Sequence, residues 1–121
     1  MIPEHNKIYL EKCEGFMERC NPGVFSCIIT SPPYNLKKKY SKYKDDIKRD
    51  KYVEWMGKVA NLSEKVLTDD GSFFLNFGGR PTDPWLAWDV AREFGKHFDL
   101  QNVIHWIKRA ALMSSLAIRE M

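Results

Sequence analysis

Six consecutive residues concentrate the chemistry available to this chain: Thr30, Ser31, Pro32, Pro33, Tyr34 and Asn35. They follow the apolar run Val24, Phe25, Ser26, Cys27, Ile28 and Ile29, so a buried strand is expected to end abruptly in a stiff loop that turns from polar to aromatic. Each proline fixes φ near about −65° and removes a backbone donor, and the residue before each is driven out of the helical region. The loop carbonyls are therefore expected to point outward without partners. A flat substrate carrying an amino group matches such a surface, with Ser31 Oγ and a carbonyl as acceptors and the Tyr34 ring as a face to lie on. The bland alternative is a rigid Ser-Pro-Pro turn whose tyrosine plugs the edge of the core.

Basic charge follows at once. From Lys37 to Lys51 there are eight cations (Lys37, Lys38, Lys39, Lys42, Lys44, Lys48, Arg49, Lys51) against three acids (Asp45, Asp46, Asp50), whereas the whole chain carries only +3. The rest of the molecule is therefore slightly acidic, and the positive charge is local. Interleaved with Tyr40 and Tyr43, it suits phosphates and unstacked bases, although a solvated loop kept soluble by lysines has the same composition.

The elements that would hold this loop can be read on either side of it. Ile8, Tyr9 and Leu10 suggest a short first strand, and a helix around Cys13 to Arg19 is ended by Asn21, Pro22 and Gly23. Val24 to Thr30 reads as a central parallel strand covered on both faces. Leu36 to Arg49 lacks apolar periodicity and reads as an exposed loop. Asp50 can cap a helix running to about Leu67, with Tyr52, Met56, Val59, Ser63 and Val66 inward and Val53, Ala60 and Leu67 beside them. Thr68 to Gly71 form a turn, Ser72 to Phe77 a strand, and Gly78 and Gly79 end it, either through positive φ or through a ligand. Asp83 before Pro84 predicts a second helix over Pro84 to His97, with Ala87, Val90, Ala91, Phe94 and Phe98 inward. Leu100 to Ile107 reads as a last strand. Strands and helices alternating at crossover spacing imply an α/β fold with a parallel sheet, and ligands in such sheets lie at the carboxyl ends of strands, where Thr30 to Asn35 falls.

Composition narrows the class. A chain of 121 residues with 44% apolar and 13% aromatic content suits one folded domain. No apolar run reaches the roughly 20 residues a bilayer requires, and Met-Ile-Pro-Glu-His is not laid out as a signal peptide, so a cytoplasmic location is expected. Cys13, Cys20 and Cys27 are odd in number and form no Cys-x-x-Cys, which indicates neither a disulfide framework nor a zinc site and leaves packing as small hydrophobes as the default. His5, His97 and His105 share no spacing, so no metal site is expected.

Ser31, Pro32, Pro33 and Tyr34 resemble the [Asp/Asn/Ser]-Pro-Pro-[Tyr/Phe/Trp] catalytic loop of the DNA amino-methyltransferases, which use S-adenosylmethionine to modify the exocyclic nitrogen of cytosine or adenine. The flanks match as well: Asn35 follows, Gly-Ser-Phe-Phe-Leu-Asn-Phe-Gly-Gly at 71 to 79 resembles the next strand of that family, and His105, Trp106, Ile107 and Lys108 resemble its later Trp-x-Lys strand. The resemblance implies an incomplete methyltransferase fold: a partial Rossmann-like parallel sheet with flanking helices in a β-like motif order. Residues 1–108 would be its amino-terminal, catalytic-loop half and 109–121 a divergent or truncated tail that reads as a short amphipathic helix. In the implied roles, Ser31 Oγ and the Pro32 carbonyl localise the amino lone pair, Pro33 stiffens the loop, and Tyr34 stacks on a base flipped from the duplex. Thr30, Ser31 and Pro32 would border the methyl donor, Lys37, Lys38, Lys39, Tyr40, Lys42 and Lys44 would contact nucleic acid, and Asn76 could hydrogen-bond near the site. A serine in the first position favours cytosine N4 over adenine N6. RNA or a protein glutamine is an alternative substrate, less suited to a serine there and to the neighbouring cations.

Two departures accompany the likeness. No Gly-x-Gly exists in the chain, so the Phe-x-Gly-x-Gly loop that cradles the donor in that family is missing, and Glu11 and Lys12 stand where it usually has Gly-Asp. A second chain, or a homodimer, is therefore an expected partner besides DNA. The alternative function is a non-catalytic nucleic-acid-binding or regulatory subunit that pairs with a full-length methyltransferase.

Overall fold

A computed structural model describes residues 1–33, 35 and 47–107. Its elements run α1 (Cys13–Arg19), β1 (Phe25–Thr30), α2 (Arg49–Val66), β2 (Leu67–Leu75) and α3 (Leu86–Phe94). The two strands pair in parallel, joined through α2, in an α/β arrangement that agrees with the expected partial parallel sheet and flanking helices.

The 3.6-residue period of α2 determines what it buries. Tyr52, Met56, Val59, Ala60, Ser63 and Val66 face inward, as the sequence predicts, and meet Leu86, Val90 and Phe94 of α3. Phe73 of β2 completes this core, its ring 4.9 Å from Phe94 and 5.5 Å from Phe98. Lys65 Nζ reaches back to the carbonyls of Met17 and Glu18 at 3.2 and 3.0 Å, capping the end of α1. Gly23, at φ +65°, makes the turn into β1.

Several expectations are corrected. Ile8 to Leu10 forms no strand; Ile8 and Leu10 are exposed, and the hydrogen bond there, Glu11 N–H to Tyr9 O at 3.2 Å, is local. β1 is covered on one face only: Ile28, opposite Phe73, packs inward, while Cys27 and Ile29 are exposed. Of the cysteines, Cys20 alone is buried. The turn expected at Thr68 to Gly71 lies within β2, where Phe25 pairs with Leu67 but Cys27 with Ser72, so Thr-Asp-Asp-Gly absorbs extra residues as an irregularity in the ladder. β2 ends at Leu75, two residues before the expected limit.

Neither long helix begins where its expected acidic cap would place it. Lys48 precedes α2 without a side-chain cap bond, and Asp50 sits in its first turn. α3 starts at Leu86, not Pro84: Asp83 closes an isolated bridge with Arg80, and residues 84–85 form a turn ahead of the helix. Leu86 is fully buried although absent from the predicted face, whereas Ala91 is exposed. Gly78 and Gly79 lack positive φ; among the described residues Asn6, Asn35 and Gly23 have it. Leu100 to Ile107 is not a strand, and its apolar side chains, Trp106 included, are exposed; among the described residues no strand pairs with it. Lys108 and the tail after it lie outside the described residues. None of the described helices is long and apolar enough to cross a membrane.

Candidate active site

The carboxyl ends of β1 and β2 lie side by side, with Thr30 paired to Leu75. One further ladder bond, Asn76 N–H to Thr30 O at 2.9 Å, carries the pairing past the end of β2. That bond brings the Asn76 side chain alongside the loop, where Nδ2 donates to Ser31 Oγ at 3.3 Å. The Ser31 hydroxyl oxygen thus serves as an acceptor to Asn76. Ser31 is exposed, and Pro32 and Pro33 are half-buried.

The carbonyls of this loop do not all point outward without partners. Tyr52, fully buried on α2, donates its hydroxyl to Pro33 O, and Thr30 O takes the Asn76 amide. No sequence pattern links the α2 tyrosine to the loop, because the two are joined only in space. Beneath the prolines, a recess of about 200 Å³ is lined by Thr30, Ser31, Pro32 and Pro33 on one side and Trp55 and Met56 on the other. It falls below the roughly 300 Å³ at which small-molecule pockets usually begin. Trp55 Nε1 is fixed by Glu14 Oε1 at 2.6 Å, and Cys13 Sγ donates to Glu14 Oε2 at 3.1 Å. Desolvation and the adjacent carboxylate push the Cys13 thiol up to about 12, which makes it a poor nucleophile.

Beyond the prolines, Asn35 is 2% exposed and holds φ +59°. Its Nδ2 donates to Ile47 O and its own carbonyl accepts from Arg80 Nη1, both at 2.8 Å. Arg80 lies 4.0 Å from Asp83, which Arg49 grips through Nε at 2.6 Å while reaching Asp89 at 2.6 Å. Arg49, one of the cluster of cations, is thus engaged in ion pairs within the chain. Tyr34 and the expected nucleic-acid contacts Lys37, Lys38, Lys39, Tyr40, Lys42 and Lys44 lie outside the described residues.

The Arg49 guanidinium, chiefly through its hydrogen bond, holds the Asp83 carboxyl below the usual aspartate range. A carboxylate with a depressed folded value contributes stability that is complete above its unfolded value near about 3.9 and lost as pH falls through the folded value. Asp83→Asn should therefore flatten the acid limb of the stability profile below about pH 4 and leave its neutral-to-alkaline limb unaltered in shape. Thermal unfolding scanned across pH checks this, and an unchanged acid limb would refute it.

A family model described as DNA methylase, of N6/N4 type, matches residues 25–119. The chain is 36% identical over 70 residues to the type II methyltransferase M.PvuII of Proteus hauseri, a match covering 58% of this chain and 19% of that protein. The match thus spans about a fifth of that relative's length.

Proposed function

Since the chain belongs to the DNA methylase family of N6/N4 amino-methyltransferases, we propose that its strand-end loop is the acceptor half of a methyl-transfer site acting on an exocyclic amino group of DNA, with cytosine N4 favoured over adenine N6. The supporting observation is the Ser31 hydroxyl, exposed at the exit of β1 and fixed from β2 by Asn76. An exocyclic amino nitrogen is a poor nucleophile because its lone pair is delocalised into the ring. Ser31 Oγ and the Pro32 carbonyl accept its two N–H groups and so favour the localised lone pair, which preorganised acceptors do without reorganising during the reaction. Tyr34 stacks on the flipped base, offsetting an unstacking cost of about a few kcal/mol. Lys37, Lys38, Lys39, Tyr40, Lys42 and Lys44 follow the phosphates beside it.

S-adenosylmethionine, when bound, supplies an electrophilic methyl group. Thr30, Ser31 and Pro32 would border it, but the described residues do not form its cradle. Glu11, at the position of a family Gly-Asp pair, is held by both terminal nitrogens of Arg19 at 2.6 and 2.7 Å, and no Gly-x-Gly is present. We accordingly place the donor cradle on polypeptide beyond the described residues. Ile29 and Phe74, adjacent and exposed on the uncovered sheet face, give such polypeptide an apolar seat.

The same Glu11–Arg19 pair favours a second reading, a non-catalytic partner that binds nucleic acid or regulates a complete methyltransferase. Labelled S-adenosylmethionine incubated with duplex DNA, followed by mass analysis of nucleosides, separates the two. N4-methylcytosine is the expected product and N6-methyladenine would change the target base. Absence of label both alone and with a co-expressed methyltransferase half bearing the glycine loop would overturn the enzymatic reading.

A further inference from the structure

We propose that Asn35 and Arg80 form a latch that fixes the exit of the Ser31–Pro33 segment, both acting as positioning residues for the acceptor chemistry proposed above, on which their catalytic consequence rests. A buried amide is costly unless hydrogen-bonded, and Asn35 is nearly inaccessible. Its side chain spends a donor on Ile47 O, twelve residues away, and its backbone carbonyl receives Arg80 Nη1, each at 2.8 Å. Its φ of +59° is one that asparagine tolerates and most other side chains resist. Arg80 in turn leans on Asp83, whose second hold is Arg49 at the start of α2. The exit of the loop is thereby tied to the exit of β2 and to a helix that packs on the sheet.

The entrance is already fixed by the Asn76 amide on Thr30 O, and Tyr52 grips the Pro33 carbonyl. Between these anchors lie Ser31 and Pro32, and the proline ring removes most remaining freedom. Reactions that depend on placement lose about 100-fold for a displacement of about 1 Å, so a hold at both ends is what two acceptors aimed at one nitrogen require.

The test reads hydrogen exchange of the Asn35 side-chain amide by 15N NMR, on the full chain without DNA or methyl donor. In the wild type its Nδ2 protons should exchange far more slowly than those of exposed Asn102. Arg80→Ala should accelerate them about 10-fold, the scale of one lost hydrogen bond, with backbone amides of Met56 and Ala60 unaffected. Arg80→Lys, which keeps a cationic donor, should restore most of the protection. If Arg80→Ala does not fold, Arg80→Gln gives the same reading. Wild-type exchange as fast as Asn102, no response to the Arg80 variants, or equal acceleration throughout α2 would each overturn the latch.

The variants are then assayed for methyl transfer in whichever form the wild type is active, where kcat should fall about 10-fold with the donor KM unchanged. Wild-type protection without any methyl transfer removes the functional reading and leaves the latch standing. Activity with an unprotected Asn35 does the reverse.

Discussion

Tyr52→Ala is expected to cost about 3–5 kcal/mol, the range for truncating a buried aromatic, and Tyr52→Phe about 1 kcal/mol, near the lower end for a lost hydrogen bond. The ring accounts for most of the difference. It is fully buried, packs edge-on against Trp55 at 5.8 Å and lies 6.2 Å from Phe77, so its removal opens a cavity where α2, the loop and the end of β2 meet. The hydroxyl contributes less because Pro33, its acceptor, is half-buried and water can replace it in part. Against a total of about 5–15 kcal/mol for an ordinary domain, the alanine variant loses a large share of its stability. Urea unfolding should show the midpoint falling in that order with the slope unchanged for phenylalanine. A phenylalanine midpoint equal to wild type would mean that the hydroxyl does not restrain the loop.

Local and periodic signals were legible in the sequence. The inward face of α2 follows from apolar spacing, and β1 from a run of apolar residues closed by two prolines. What escaped depends on partners distant along the chain. Asp83-Pro84 is a good helix start by local rules, yet Asp83 closes a bridge with Arg80 and meets Arg49 from 34 residues earlier, and a turn at 84–85 comes before α3. Leu100 to Ile107 has the composition of a strand, but a strand exists only through its neighbour, and among the described residues none is paired to it. β1 reads as covered on both faces because its residues suit burial; the composition of one strand cannot reveal that Ile29 and Phe74 stay bare.

The site divides in the same way. Ser31, Pro32 and Pro33 stand out by type and order, and Asn76 by its place in a matching segment; the distance of 3.3 Å between Asn76 and Ser31 agrees with that reading. The bond from Tyr52 to the loop, the part played by Arg80 and the second role of Asn35 left no trace, since each is defined by a bond across 12 to 45 residues of chain. Side chains that perform chemistry carry their function in their identity, whereas those that hold them still carry it in their contacts.

Ser31→Ala should separate chemistry from scaffolding most sharply. Ser31 is exposed and its described bond is to an exposed Asn76, so stability should change by no more than about 0.5 kcal/mol. Its proposed acceptor role strengthens as the amino nitrogen localises its lone pair, so the loss belongs to the transition state, and removing one preorganised partner costs about 100- to 1,000-fold in kcat. KM for DNA and for the donor should stay near wild type, because ground-state binding rests on stacking and phosphate contacts. Asn76→Ala, which removes a donor to the same hydroxyl, should cost about 10-fold, and the double variant should be no slower than Ser31→Ala, since the two act through one oxygen. Additive losses would mean that Asn76 serves a separate purpose. Undiminished kcat in Ser31→Ala, in a preparation where the wild type transfers methyl, would remove the hydroxyl from the reaction and leave the Pro32 carbonyl to account for the activity.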